Sequence, residues 1–213
     1  MNSIEKLIQI FSQFPGIGPR QARRFVYYLL TRANGTLEEL SSHIKDLKND
    51  VVMCADCRRF FESKNNKTTL CNICRDQERD RSTLMLVQRD MDLESVEKNG
   101  GFKGVYFVLG GSIGILEKEP EKRIRIRELK NFIEKKIKEG LREIILGVNW
   151  NPEGENTGDY VKKQLKLIME KNTFQQAQGK QIKISHLGKG LSMGTELEYT
   201  DPETMKNALR NRG

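Results

Sequence analysis

Four cysteines stand inside one window of 21 residues, Cys54-Ala-Asp-Cys57 and Cys71-Asn-Ile-Cys74, and the chain has no others. Each C-x-x-C pair forms a tight knuckle that presents two thiolates to one ion. Four thiolates complete a tetrahedron and leave no position for a catalytic water. The spacing therefore predicts a structural Zn²⁺ held by Cys54, Cys57, Cys71 and Cys74. The competing chemistries are two disulfides or a thioredoxin-like redox pair. Secreted disulfide proteins are small and begin with a signal peptide, whereas residues 1–11 hold Glu5 and Lys6 and no apolar run of that length. A redox C-x-x-C is normally single, and here two matched pairs occur. Such cysteine usage fits a reducing cytoplasm.

The second chemical feature is Phe14-Pro15-Gly16-Ile17-Gly18-Pro19-Arg20, with Arg23 and Arg24 close behind. Gly16 and Gly18 are free to take positive φ and to present bare backbone, with Ile17 as an anchor between them. Pro19 suits the first turn of a helix, whose outward amides and macrodipole favour an anion. Arg20, Arg23 and Arg24 add positive charge at the same end. This is the chemistry of a clamp on a nucleic-acid backbone, with little sequence preference. The segment resembles the helix-hairpin-helix motif of many DNA repair proteins. The plainer alternative is a tight turn between helices with a solvated basic face.

These residues need elements to position them. Ile4, Leu7, Ile8 and Phe11 predict an amphipathic helix over 3–13. Ala22, Phe25, Val26, Leu29 and Leu30 predict a second from Pro19 to about 31–34. A third is expected from Thr36, with Glu39 closing a capping box. After the cysteines, strands are expected at Thr83–Val87, Val105–Leu109, Glu143–Val148 and Gln181–Ser185, and helices at 92–99, 125–139 and Thr157–Met169. Alternating strands and helices imply a parallel sheet in an α/β domain, whose functional edge lies beyond the strand C-termini.

That edge carries Gln88 after the first strand and Asn149-Trp150-Asn151-Pro152-Glu153-Gly154-Glu155 after the third. The layout resembles a Toprim domain, the metal-binding module of topoisomerases and bacterial primases. The resemblance implies a glutamate after the first strand and an Asp-x-Asp after the third, holding Mg²⁺ for phosphoryl chemistry. Gln88, Asn149 and Asn151 are neutral amides, so most of the attraction for a divalent ion is gone. Glu153 and Glu155 remain, and carboxylates there commonly serve a helix N-terminus. No enzymatic activity is expected. A Toprim-type Mg²⁺-dependent nuclease or topoisomerase-like enzyme using Glu153 and Glu155 is the alternative.

Other catalytic readings are weaker. Gly110-Gly111-Ser112-Ile113-Gly114 and Gly188-Lys189-Gly190 do not form a P-loop. His43 and His186 lack a neighbouring nucleophile, and His186 after a strand reads as structural. The alternation Arg123-Ile124-Arg125-Ile126-Arg127 offers a basic ridge or a solvated strand or helix start.

The 213 residues carry a net charge of +8, which points to an anionic partner. The excess is spread evenly, two positive charges in each of residues 1–50, 51–82, 83–179 and 180–213. DNA binding must then come from folded placement of a few side chains or from several copies acting together. With 31% charged residues, no stretch approaches the length of a membrane span.

The order of these parts, together with Asn149–Thr157 and the Gly190-Leu191, Gly194 and Glu196-Leu197-Glu198-Tyr199 positions, resembles the RecR family of bacterial recombination proteins. Departures are Ser192, Gln88 and a longer loop between the cysteine pairs. The resemblance implies an α+β multidomain chain: a helix-hairpin-helix bundle over 1–50, a four-cysteine zinc finger over 51–80, a Toprim-like domain over 81–186 and a C-terminal segment for subunit assembly over 187–213. Asp201-Pro202-Glu203 opens its tail helix. It also implies a DNA-binding adaptor in recombinational repair, acting with RecO and RecF to help load RecA on single strands coated by single-strand-binding protein. Dimers or tetrameric rings around DNA are expected. The family's DNA contacts map onto Arg20 and Arg24, and its acidic contacts to RecO onto Glu153 and Glu155.

Overall fold

In the computed structural model of the protein, residues 1–63, 68–173, 182–188, 200 and 202–210 are described. The chain divides into two compact units, Met1–Val52 with Glu62–Lys67, and Met53–Phe61 with Thr68–Gly213.

The first unit is helical. Helix α1 (Ser3–Phe11) opens with a capping box in which Asn2 and Glu5 exchange backbone and side-chain hydrogen bonds, a start signal that apolar periodicity does not reveal. Helix α2 (Pro19–Leu30) packs on α1 through Ala22 and Val26, the buried apolar side chains among the described residues of this unit. Phe11 completes the contact, with edge-to-face rings on Phe14 and Phe25 at 5.8 and 6.1 Å. Helix α3 (Asn34–Asp50) begins two residues ahead of the expected Thr36. Ala33 holds the N-cap position, so Thr36 lies within the first turn and no capping box forms with Glu39. A ribbon of β1 (Val51–Met53) and β2 (Phe60–Glu62), not expected from the sequence, follows.

The second unit holds the cysteines and a four-stranded parallel sheet. Helix α4 (Asn72–Arg75) follows Cys71. Strand β3 (Asp80–Val87), helix α5 (Asp90–Asn99), strand β4 (Gly104–Val108), helix α6 (Ile126–Lys138), strand β5 (Glu143–Gly147), helix α7 (Pro152–Thr173) and strand β6 (Lys183–His186) come next. The order is β4-β3-β5-β6, with all pairs parallel. The chain reverses direction across β3, so the crevice beyond its C-terminus is the expected site position in such a sheet.

Period-two alternation divides the sheet's side chains between two layers. Leu84, Leu86, Val105, Phe107, Ile144 and Leu146 pack with Leu129, Ile133 and Ile137 of α6 and Val161, Leu165 and Ile168 of α7. Met85, Val87, Tyr106 and Val108 pack with Leu93 of α5 and with all four cysteines. The cysteine module thus shares the covering of that face with α5. Helix α8 (Pro202–Arg210) matches the expected tail helix. Gln181, at the expected start of the last strand, and residues 189–199 and 201 of the C-terminal segment lie outside the described residues.

Candidate metal centre and nucleic-acid interface

The candidate ligand sulfurs of Cys54, Cys57, Cys71 and Cys74 lie within 4.8 Å of one another. Cys57 and Cys71 bring their Sγ atoms to 3.6 Å, close to the ~3.8 Å edge of a tetrahedron with Zn–S bonds of about 2.3 Å. A disulfide requires about 2.05 Å, so these are free thiols. All four are buried, and the Cys71 amide donates to Cys54 Sγ at 3.4 Å. Crowding divides their protons unevenly. Hydrogen bonds from Cys57, Cys71 and Cys74 hold the Cys54 thiol low, while its bond with Cys54 pushes the Cys57 thiol up. A cation is what lets four such sulfurs be thiolates together, and the donor set fits a metal ion. Among the described residues no other group of three or more side chains could hold one.

The sequence folds into this cage because the knuckles are tied to each other and to the sheet. Ala55 N donates to Thr69 O at 2.8 Å, joining the two C-x-x-C turns. Arg58 takes a left-handed φ of 64° just after Cys57. Val108 N donates to Cys57 O at 2.8 Å, and Arg125 Nη1 donates to Arg58 O at 2.9 Å and Val108 O at 3.2 Å. Lys135 pairs with Asp56 at 2.9 Å. Arg125 therefore decides between the two readings of the Arg-Ile alternation. Ile124 and Ile126 are buried at the start of α6, and Arg125 between them fastens the first knuckle.

The hairpin connects α1 to α2. Gly16 has φ +77°, as expected, but Gly18 is extended at φ −82° and serves as the N-cap of α2. Positive φ is thus needed only once, because Ile17 N already closes the turn on Phe14 O at 3.0 Å. Ile17 is half-buried. Space around both glycines is open, with nothing within 4 Å of an added Cβ. Gly18 offers no side-chain cap, so the amides of Arg20 and Gln21 have no acceptor within the helix. Among the described residues none of Arg20, Arg23 and Arg24 pairs with a carboxylate, and Arg24 donates only to Gln21 Oε1 at 3.3 Å. The arginines share one face of α2 with Tyr27, Tyr28 and Thr31, around a shallow depression of about 540 Å³. Sequence reasoning passed over the tyrosines, although their spacing of seven and eight residues from Arg20 places them on that face.

At the sheet edge, the amides have structural occupations. Gln88 is buried, and its Oε1 accepts from Asn149 N at 3.0 Å, linking the ends of β3 and β5. Asn151 Oδ1 accepts from Gly154 N at 2.8 Å and caps α7, which starts five residues before the expected Thr157. Glu153 and Glu155 stand in the first turn of α7, where the macrodipole favours them. Ser112 Oγ donates to Glu153 Oε2 at 3.0 Å, and Ile113 N donates to Thr157 Oγ1 at 2.8 Å. The glycine-rich loop is thereby docked on α7. A nearby groove of about 870 Å³ carries cations, three of which face their own acids: Lys122 with Glu119 at 2.7 Å, Arg123 with Glu117, and Arg127 with Glu121 at 3.9 Å. His186 meets Trp150 with ring centroids 5.9 Å apart, and desolvation holds its pKa below the usual value.

Comparison with known proteins places these features in one family. Residues 82–178 match the Toprim domain model, residues 4–48 the RecR helix-hairpin-helix model and residues 190–212 the RecR C-terminal model. The chain is 33% identical to the recombination protein RecR of Bdellovibrio bacteriovorus, over 100% of its own length and 97% of the relative's. It is 32% identical to that of Chlorobium luteolum, over 99% and 96%. With that of Staphylococcus aureus it shares 34% identity over 98% and 96%. No described helix is long and apolar enough to cross a membrane. The chain belongs to the RecR family of recombination proteins.

Proposed function

We propose that the chain is a non-enzymatic DNA-binding adaptor in recombinational repair, acting with RecO and RecF in the cytoplasm to help load RecA on single-stranded DNA coated by single-strand-binding protein. The observation that carries this reading is the hairpin. An uncapped helix start and three arginines without carboxylate partners converge where a phosphate backbone would lie. Gly16 and Gly18 leave the approach open, and Arg20, Arg23 and Arg24 supply the charge. Structural Zn²⁺, one per chain, sits among Cys54, Cys57, Cys71 and Cys74 and holds the knuckles on the sheet. The functional division in this reading is a hairpin over 1–50, a zinc finger over 51–80, a Toprim-like domain over 81–186 and a C-terminal assembly segment over 187–213.

Support for an adaptor over a Mg²⁺-dependent nuclease comes from the sheet edge. Gln88 and Asn151 have their oxygens engaged by backbone amides, and Glu153 is engaged by Ser112. Glu153 and Glu155, two residues apart on a helix, do not face one another. They serve instead as an acidic surface for RecO.

The reading is tested with Arg20→Ala/Arg24→Ala in the full chain. DNA affinity should fall at fixed salt, and the slope of log K against log salt should flatten by about 0.9 for each phosphate no longer neutralised. Unchanged affinity and slope in a folded variant would remove the hairpin from the function.

A further inference from the structure

The arginine face of α2 carries more than charge. Arg20, Arg23, Arg24, Tyr27 and Tyr28 lie at intervals of three and four residues, on the side of the helix opposite Ala22 and Val26. Both tyrosines are more than half exposed, at 52% and 55%. The Arg32 guanidinium lies over the Tyr28 ring, 4.0 Å from its centroid, so a cation covers one face of that ring and a base would stack on the other. A duplex backbone needs only the arginines. Its bases are already stacked, so their faces are closed to a protein ring. Exposed aromatic faces beside unpaired cations are what unstacked bases with flanking phosphates would occupy.

We propose that the α2 face selects single-stranded nucleic acid, with Tyr27 and Tyr28 stacking bases while Arg20, Arg23 and Arg24 hold the adjoining phosphates. This rests on the hairpin as the DNA site and adds the form of DNA it prefers. The stacking energy is sequence-tolerant, because every base has a π face, so the site stays indifferent to sequence. It is also independent of counterion release, so it separates from the arginines by its salt response.

The experiment compares binding of oligodeoxythymidine and of a blunt duplex of equal length by the full chain. Tyr27→Ala/Tyr28→Ala should weaken single-strand binding by about tenfold or more, and leave duplex binding and the salt slope within about twofold. Tyr27→Leu/Tyr28→Leu, which keeps apolar bulk without a π face, should lose single-strand affinity equally. Tyr27→Phe/Tyr28→Phe should retain it. No loss with the Ala and Leu variants, or an equal loss on both DNAs, overturns the proposal. A fall in oligomer mass that accounts for the loss also overturns it, because the rings would then cover a second copy of the chain. If the tyrosines matter and Arg20→Ala/Arg24→Ala does nothing, the phosphate half of the site is wrong. If the arginines matter and the tyrosines do not, the hairpin reading stands and single-strand selection falls.

Discussion

Cys57 shows how a single residue serves both the candidate metal centre and the sheet: its sulfur approaches Cys71 at 3.6 Å while its carbonyl accepts from Val108. Removing one ligand should therefore act on folding before it acts on DNA. Cys54→Ser should bring the metal content, read by native mass spectrometry, below one Zn²⁺ per chain. It should also cost several kcal/mol of stability, since metal affinity is folding energy in such sites. A second residue-scale device is Arg79, which grips Glu97 through both guanidinium amines at 2.8 and 2.5 Å, while Tyr106 Oη donates to the same carboxylate at 2.6 Å. The Arg79 hydrogen bonds hold the Glu97 carboxyl below its ordinary range, against an opposing desolvation, with Tyr106 helping. A depressed carboxylate adds stability above its unfolded pKa, and that stability is lost as pH falls through the folded value. Thermal melts should show wild type ahead of Glu97→Gln at neutral pH, with the gap closing through the acidic carboxylate range. Arg79→Ala should cost about 2 kcal/mol or more, below the ~3–5 of a fully buried pair because Glu97 is a quarter exposed.

At the scale of elements, the start of α7 decides the character of the sheet edge. Apolar periodicity locates the helix from Thr157, but Asn151 caps it and Pro152 opens it. Periodicity fails there because the first turn faces the loop 110–114 rather than the apolar core. Gly154 is the point of closest approach, since a Cβ there would overlap the Asn149 carbonyl oxygen. Gly154→Ala should destabilise by about 1–3 kcal/mol through overpacking against backbone, and Asn151→Ala by about 1 kcal/mol through loss of the cap. Urea unfolding checks both. An equal, negligible effect would mean the turn relaxes at no cost. Helix α3 departs from its expected start for a related reason: a Ser/Thr-x-x-Glu pattern is a start signal only if the preceding residues are not already helical, and Asn34 is.

At the scale of the molecule, the N-terminal unit is short of core. Among its described residues Ala22 and Val26 are the buried apolar side chains, while Leu30, Ile44 and Leu47 are each about 60% exposed. So little burial supports few kcal/mol, and association with another chain would cover these exposed apolar side chains. Assembly into a dimer or ring would also let a few arginines per chain neutralise many phosphates together. The melting temperature should then rise with protein concentration, because association stabilises only the folded state. A melt independent of concentration, with a monomer mass, would count against assembly. The sequence by itself determined the four-cysteine cluster, the hairpin, the parallel α/β order and the amides at the sheet edge, because each is a local matter of residue type and spacing. Cysteine pairs, Pro-Gly turns and amide-for-acid replacements carry their chemistry wherever the chain takes them. Tertiary structure alone decided that the cysteine module covers a sheet face beside α5, that Arg125 fastens it, and that Gln88 and Asn149 meet across β3 and β5. Those are contacts between residues 67 and 61 positions apart, set by strand order and register, which no local pattern encodes.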